Sequence, residues 1–307
     1  MRAMHYVIGD IHGCYQDMMA LLNKIESQDQ DAQIIFVGDF IDRGPDVDKV
    51  LDWSLENITL DGKYRAVRGN HEQMVLEWYK EFMDWYDNAG NYSAREPMPE
   101  TYYDFSRWMD AMGKLSPAGL KPYIDFFSHL PYNRKMTVET ASGKTVDYRI
   151  VHAFYEYDEG VPKLEQYYTN LYARKYGNYK SDEIVVHGHT PTVALAAGDS
   201  LTYNIRPGLI SYHKNDVNVD CGCVYKEAYP ENPVMLGAFC LETFEEIYSM
   251  SVKERFLENG AEDGMRKYEA YKEKYLAQES LERTALMEMY LKKRNLNKQI
   301  PCLGKVI

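Results

Sequence analysis

Three glycine-framed segments within the first 72 residues carry side chains able to do chemistry: Gly9-Asp10-Ile11-His12-Gly13, then Gly38-Asp39-Phe40-Ile41-Asp42-Arg43-Gly44-Pro45, then Gly69-Asn70-His71-Glu72. Two later segments, Val151-His152-Ala153 and Val186-His187-Gly188-His189-Thr190, add imidazoles. Five of the eight histidines lie in these segments, so histidine is concentrated rather than scattered. Carboxylate, imidazole and amide oxygen together suit manganese first, with iron or zinc as alternatives, better than calcium or an all-thiolate site. A carboxylate placed between two such ions can bridge them, and Asp39 is central in chain order. Ions about 3.5–4 Å apart could share a hydroxide and clamp both ends of an in-line displacement at phosphorus.

Such side chains work only if the fold gathers them. Each segment follows a short apolar run: YVIGD (6–10), QIIFVGD (33–39), YRAVRGN (64–70), DYRIVHA (147–153) and EIVVHGH (183–189). Between the first three lie helix-like stretches, 14–27 with Met18, Leu21, Leu22 and Ile25 on one face, and 47–57. Spacing of roughly thirty residues suits βαβ crossovers, and runs of this kind suit strands buried on both faces. In an α/β sheet the carboxyl ends of the strands converge on one crevice. Asp10, His12, Asp39, Asn70, His152 and His189 should therefore meet there.

Residues 72–131 change character, being rich in Trp, Tyr, Met and Phe at helical spacing. They read as a helical insertion, broken near Arg95–Pro99 and again at Ser116–Pro117. Its aromatic residues are core by the plain interpretation; the sharper one makes them a cap over a substrate pocket. Strand-like runs follow at 135–140, 216–220 and 235–242, and ASGK (141–144) reads as a hairpin turn. The division expected is 1–250 as the main domain, with 72–131 inserted, and 251–307 as a charged, helix-prone extension in which Tyr268, Tyr271 and Tyr275 follow 3,4 spacing. That extension should pack on the domain as an amphipathic helix, an oligomerisation arm being the alternative.

GDIHG, GDFIDRGP and RGNHE, in that order and followed by separated His motifs, resemble the phosphoprotein phosphatase branch of the calcineurin-like metallophosphoesterases. The resemblance runs over about residues 5–245 and is weakest over 72–131. It implies an α/β fold with a central β-sandwich flanked by helices, with two metals at one end. It implies Asp10, His12 and Asp39 as ligands of one metal, and Asp39, Asn70, His152 and His189 as ligands of the other. His71 would be the general acid and Asp42 the carboxylate that orients it. Arg43, and Arg174 in NLYAR, would grip the phosphoryl oxygens, a task suited to a guanidinium fork. One departure is Phe154, which stands where bacterial relatives often carry Gly. His187 lies two residues before His189, and the pattern places the ligand at the His after Gly.

The resemblance implies a dinuclear metal-dependent phosphoesterase that cleaves phosphomonoesters by in-line attack of a metal-bridging hydroxide, like a serine/threonine protein phosphatase. The alternative is a symmetrical bis(5'-nucleosyl)-tetraphosphate hydrolase, where the Asp of DRGP is often replaced and the third motif tends to end in Asp rather than Glu. Asp42 and Glu72 tilt the choice towards phosphomonoesters. A metal-holding scaffold without catalysis is the minor alternative, disfavoured because a scaffold needs no His71–Asp42 acid. The substrate is expected to be a phosphorylated protein or a small phosphoester or nucleotide.

Composition narrows the classes further. A chain of 307 residues with 45% apolar and 13% aromatic residues is not disordered. A net charge of −12 disfavours a general phosphate-backbone binder, so no nucleic-acid duplex is expected as partner. No apolar run approaches the ~18 residues of a membrane span, and Asp10 interrupts any secretory apolar region at the start. Five cysteines, an odd number, do not make a disulfide framework, and a reduced cytoplasmic setting is the simplest reading. Cys221 and Cys223 read as buried thiols, since no second Cys pair completes a zinc site. Oligomeric state is left open.

Overall fold

The computed structural model of the chain describes residues 3–88, 103–156, 163–174, 182–197, 205–258, 260–276, 286 and 288. Two five-stranded sheets form its centre. The first has the order β10-β9-β1-β2-β3, built from β1 (His5–Ile8), β2 (Gln33–Phe36), β3 (Tyr64–Ala66), β9 (Gly237–Cys240) and β10 (Glu246–Tyr248). The second has the order β4-β5-β6-β8-β7, built from β4 (Asn133–Glu139), β5 (Thr145–Val151), β6 (Ile184–His187), β7 (Ser211–His213) and β8 (Asp216–Asn218).

Period-two alternation decides which layer each side chain joins. Val7, Ile35 and Phe239 point between the sheets, where they meet Tyr148, Ile150, Val186 and Val217. Their neighbours Tyr6, Ile8, Ile34, Phe36, Ala238 and Cys240 point the other way, into a helical layer. The sandwich flanked by helices is thus the observed architecture.

The helical layer comprises α1 (Tyr15–Gln28), α2 (Val47–Asn57), α3 (Asn70–Asn88), α4 (Tyr103–Ala111) and α5 (Pro117–His129). Met18, Leu21, Leu22 and Ile25 of α1 are buried on one stripe, as their spacing requires. The break expected at Ser116–Pro117 is the start of α5: Ser116 accepts a hydrogen bond from the Gly119 N–H at 3.1 Å, and Pro117 takes the first turn. The break at Arg95–Pro99 lies outside the described residues. Trp78, Phe82 and Phe105 are core, whereas Trp108 is half-buried.

The ASGK hairpin forms, with the Gly143 N–H donating to Thr140 O at 2.8 Å. Further helices are α6 (Lys163–Tyr172), α7 (Thr192–Ala197), α8 (Val252–Leu257) and α9 (Ala261–Tyr271). Ser251 and Glu254 close a capping box at the start of α8. Phe256 and Tyr271 bury against Leu209 and Met235, so the beginning of the extension does pack on the sandwich. It forms two helices rather than one, separated near Gly260, whose φ is +106°. Most of the remaining extension lies outside the described residues. None of the described helices is long and apolar enough to cross a membrane.

The sandwich core sets a stability prediction. Phe239 is fully buried between the sheets, edge-on to Phe244 and Tyr212. Phe239→Ala should lower unfolding free energy by about 3–5 kcal/mol in denaturant titration. A loss below about 1 kcal/mol would contradict this packing.

Candidate metal and phosphoryl site

Each sheet offers three adjacent parallel strands: β1-β2-β3 in the first, β5-β6-β8 in the second. Their carboxyl ends carry the expected segments. Asp10 and His12 follow β1, Asp39, Asp42 and Arg43 follow β2, and Asn70, His71 and Glu72 form the first turn of α3 after β3. His152 follows β5 and His189 follows β6.

The structure brings these side chains together. Ligand-type atoms of Asp10, Asp39 and His152 lie within 4.8 Å of one another, as do those of His12, Asp39 and His71. Asp39 belongs to both groups. Its Oδ2 is 3.4 Å from His12 Nε2 and 3.8 Å from His71 Nε2, and its Oδ1 is 3.5 Å from His152 Nε2. Asn70 Oδ1 lies 2.9 Å from both His152 Nε2 and His189 Nδ1. By distance, Asp10 groups with His152, and His71 joins His12.

Tautomers make this cluster informative. His12 Nδ1 donates to Ile41 O at 2.8 Å, and His152 Nδ1 donates to Val37 O at 2.9 Å. In the neutral ring, each Nε2 then bears a lone pair aimed inward. Burial lowers the His152 pKa and, with Arg43, brings that of His12 down to about 3, so both rings stay neutral. His189 is pushed down to about 3 by burial and then by His152. Bare Nε2 of His152 and Oδ1 of Asn70, 2.9 Å apart, are two electron-pair donors facing each other. A divalent cation satisfies that arrangement, so the residues fit a metal centre. Burial alone would raise the Asp39 carboxyl, but His152, His71 and His12 outweigh it and hold it well below the usual carboxylate range. Asp10 is shifted upward, by burial and by Asp220 and Asp39.

Beside the cluster, His71 Nδ1 meets Asp42 Oδ2 at 2.5 Å. Burial opposes a charge on His71, but Asp39 and Asp42 prevail and raise its pKa. Arg43 reaches in with one guanidinium nitrogen on His12 Nε2 and the other 2.9 Å from His71 Nε2. Arg174, just after α6, is exposed and acts on His189 through its charge.

His187 is turned away. Its Nε2 meets Asp216 Oδ1 at 2.6 Å and its Nδ1 meets Gly188 O at 3.0 Å. Both nitrogens face oxygen acceptors, which leaves no lone pair for a metal. Gly188 is needed here because a Cβ would stand 2.1 Å from Asp10 Oδ1. Phe154 packs in a small apolar cluster with Val151 and Val185. Cys221 and Cys223 are buried; the Cys223 thiol donates to Asp10 O at 3.4 Å.

Two residues gain importance that the motifs alone did not give them. Glu72 is fully buried; its Oε2 accepts from the N–H groups of Asp39 (2.9 Å) and Gly69 (3.0 Å), and its Oε1 accepts from Phe40 N–H (2.8 Å). Burial and Asp39 raise its pKa to about 7. Asp220, at the end of the run 216–220, is likewise buried and raised to about 7, burial being the main cause. The rule that strand ends carry the chemistry points to Asp220 as well.

The family model described as calcineurin-like phosphoesterase matches residues 6–220. A serine/threonine-protein phosphatase 1 of Salmonella typhimurium is 38% identical over 94 residues, 29% of this chain and 40% of that protein. A symmetrical bis(5'-nucleosyl)-tetraphosphatase of Erwinia tasmaniensis is 38% identical over 74 residues, 24% of this chain and 26% of that protein. A zinc-dependent endopolyphosphatase of Saccharomyces cerevisiae is 31% identical over 115 residues, 36% of this chain and 34% of that protein. The aligned stretches thus span well under half of these relatives. A solved metallophosphoesterase from Sphaerobacter thermophilus superposes with a TM-score of 0.46 at 14% identity, over 88% of this chain and all of that one.

The three-fold capping by Glu72 yields a test. Glu72→Gln keeps one acceptor oxygen, so at least one buried N–H loses its partner, at a cost of about 1–3 kcal/mol. Denaturant unfolding should show that loss, and calorimetric Mn titration should show weaker metal binding as the Asp39 loop loosens. Unchanged values in both would exclude the capping role.

Proposed function

The chain belongs to the calcineurin-like phosphoesterase family, and from that premise we propose that it is a two-metal phosphoesterase that cleaves phosphomonoesters, in the manner of a serine/threonine protein phosphatase. The observation that carries this reading is the His71–Asp42 pair, 2.5 Å apart, at the edge of the convergent Asp and His cluster.

Asp10, His12 and Asp39 would hold one divalent ion, and Asp39, Asn70, His152 and His189 the other. Bound there, the ions would neutralise phosphoryl charge and lower the pKa of water. Arg43 and Arg174 would grip the phosphoryl oxygens with charge-assisted hydrogen bonds. Arg43 has its guanidinium beside His71 Nε2; once engaged by substrate oxygens it would free that nitrogen to carry a proton. His71 would then pass the proton from Nε2 to the leaving oxygen, while Asp42 holds Nδ1 and fixes the ring. Asp42 and Glu72 favour phosphomonoesters over dinucleoside tetraphosphates as substrates.

The test pairs two variants with a substrate panel. His71→Asn should cut turnover of p-nitrophenyl phosphate by roughly 10²–10⁴-fold, the usual size of a general-acid effect, with metal content unchanged by elemental analysis. Equal loss of metal would remove the acid role. Asp39→Asn should lose metal and activity together. Chelation should abolish turnover, and added Mn, Fe or Zn should restore it. A phosphoserine peptide should be cleaved faster than diadenosine tetraphosphate; the reverse order would select the tetraphosphatase alternative.

A further inference from the structure

A cavity of about 440 Å³ opens beside Arg43. Among the described residues its lining is Arg43 and Gly44, with Arg107, Trp108, Asp110 and Ala111 of α4. The volume falls in the range of small-molecule sites. Trp108 also packs against the helical-layer core, which anchors that wall. Arg107, Asp110 and Ala111 are exposed.

Position gives this cavity a role. Arg43 contacts His71 Nε2, the atom proposed above to protonate the leaving oxygen. Space reached past Arg43 therefore lies on the side where the leaving group departs. Charge gives it a preference, since among the described residues two guanidinium groups line it with one carboxylate, that of Asp110. A planar guanidinium binds phosphate or carboxylate through paired hydrogen bonds.

We propose that α4 builds a leaving-group subsite, in which Arg107 holds an anionic group carried by the leaving group and Trp108 walls the space. This rests on the two-metal phosphoesterase reading and adds the chemistry of the group released. The bond from phosphorus to the leaving oxygen breaks as a water oxygen bonds phosphorus; the leaving oxygen takes the His71 proton, one water proton stays on the phosphate released and the other restores His71. The anionic group on the departing half stays on Arg107 throughout. Substrates whose leaving group carries its own negative charge are then preferred over those with a neutral one.

Two probes and two variants test this. ATP, which releases ADP when water attacks its terminal phosphorus, represents an anionic leaving group; p-nitrophenyl phosphate represents one without further charge. Arg107→Gln removes the cation, and Ala111→Glu adds an opposing charge at an exposed position of the same wall. In each variant the ratio of kcat/KM for ATP to that for p-nitrophenyl phosphate should fall roughly tenfold or more, the scale of a lost charge-assisted hydrogen bond. Turnover of p-nitrophenyl phosphate should stay within about threefold. ADP binding by calorimetry to the Mn-loaded protein should weaken by a similar factor. An equal fall on both substrates, or ADP binding that ignores both variants, would overturn the subsite. ADP binding that depends on Arg107 in a protein that cleaves neither substrate would uphold the subsite and reject the phosphoesterase reading.

Discussion

A buried carboxylate at Asp39 faces the Nε2 atoms of three imidazoles and receives the His71 N–H on its Oδ1 at 3.0 Å. A charge taken out of water is stable only with compensating partners. Much of the local backbone is arranged to supply them. His12, Asp39, Asp42, Arg43 and His189 all have positive φ, five of the seven described non-glycine residues that do. Such backbone costs about 1–2 kcal/mol per residue, and strain of this kind is sustained where surrounding structure over-determines it. Glu72 and Gly69 show how that is achieved here. The first ties the Asp39, Phe40 and Gly69 amides into one carboxylate. The second leaves room where a Cβ would stand 2.1 Å from Asp39 Oδ1.

The sandwich makes this convergence possible. Each sheet presents three parallel strands, and both sets end at the cluster. Loops at strand ends can take strained conformations without breaking ladder hydrogen bonds, so the rigid cores bear the cost of aiming the side chains. The helical layer then serves two purposes. Trp78, Phe82 and Phe105 complete the core beneath the first sheet, while α4 carries Arg107 and Trp108 out to the cavity beside Arg43. The same insertion is therefore partly core and partly the wall of a cavity.

Elements long enough to show a period were legible. The α1 stripe, the α2 span of 47–57 and the apolar runs of β1, β2, β5 and β6 appear where their patterns place them. Elements without a readable period were not. β7 (SYH) and β10 (EIY) are short, and unlike the equally short β3 and β8 they do not lie in a run of alternating or continuous apolar residues that ends in a polar motif. α7 (TVALAA) has six residues, too few for a helical face to register. α6, KLEQYYTNLY, is rich in Tyr, Thr and Asn, residues of modest helix propensity.

The site divides along the same line. Residue type and position after apolar runs were enough to single out Asp10, His12, Asp39, Asn70, His152 and His189, because those features are local, whereas His71 entered through the family resemblance. Which histidine of the pair 187 and 189 faces the cluster was suggested by motif and settled by hydrogen bonding, since Asp216 takes His187. The capping by Glu72, the burial of Asp220 and the meeting of Arg107 with Arg43 across a cavity belong to the tertiary structure alone. They depend on distances between segments far apart in the chain, and a linear pattern encodes periodicity and chemistry but not the packing that sets those distances.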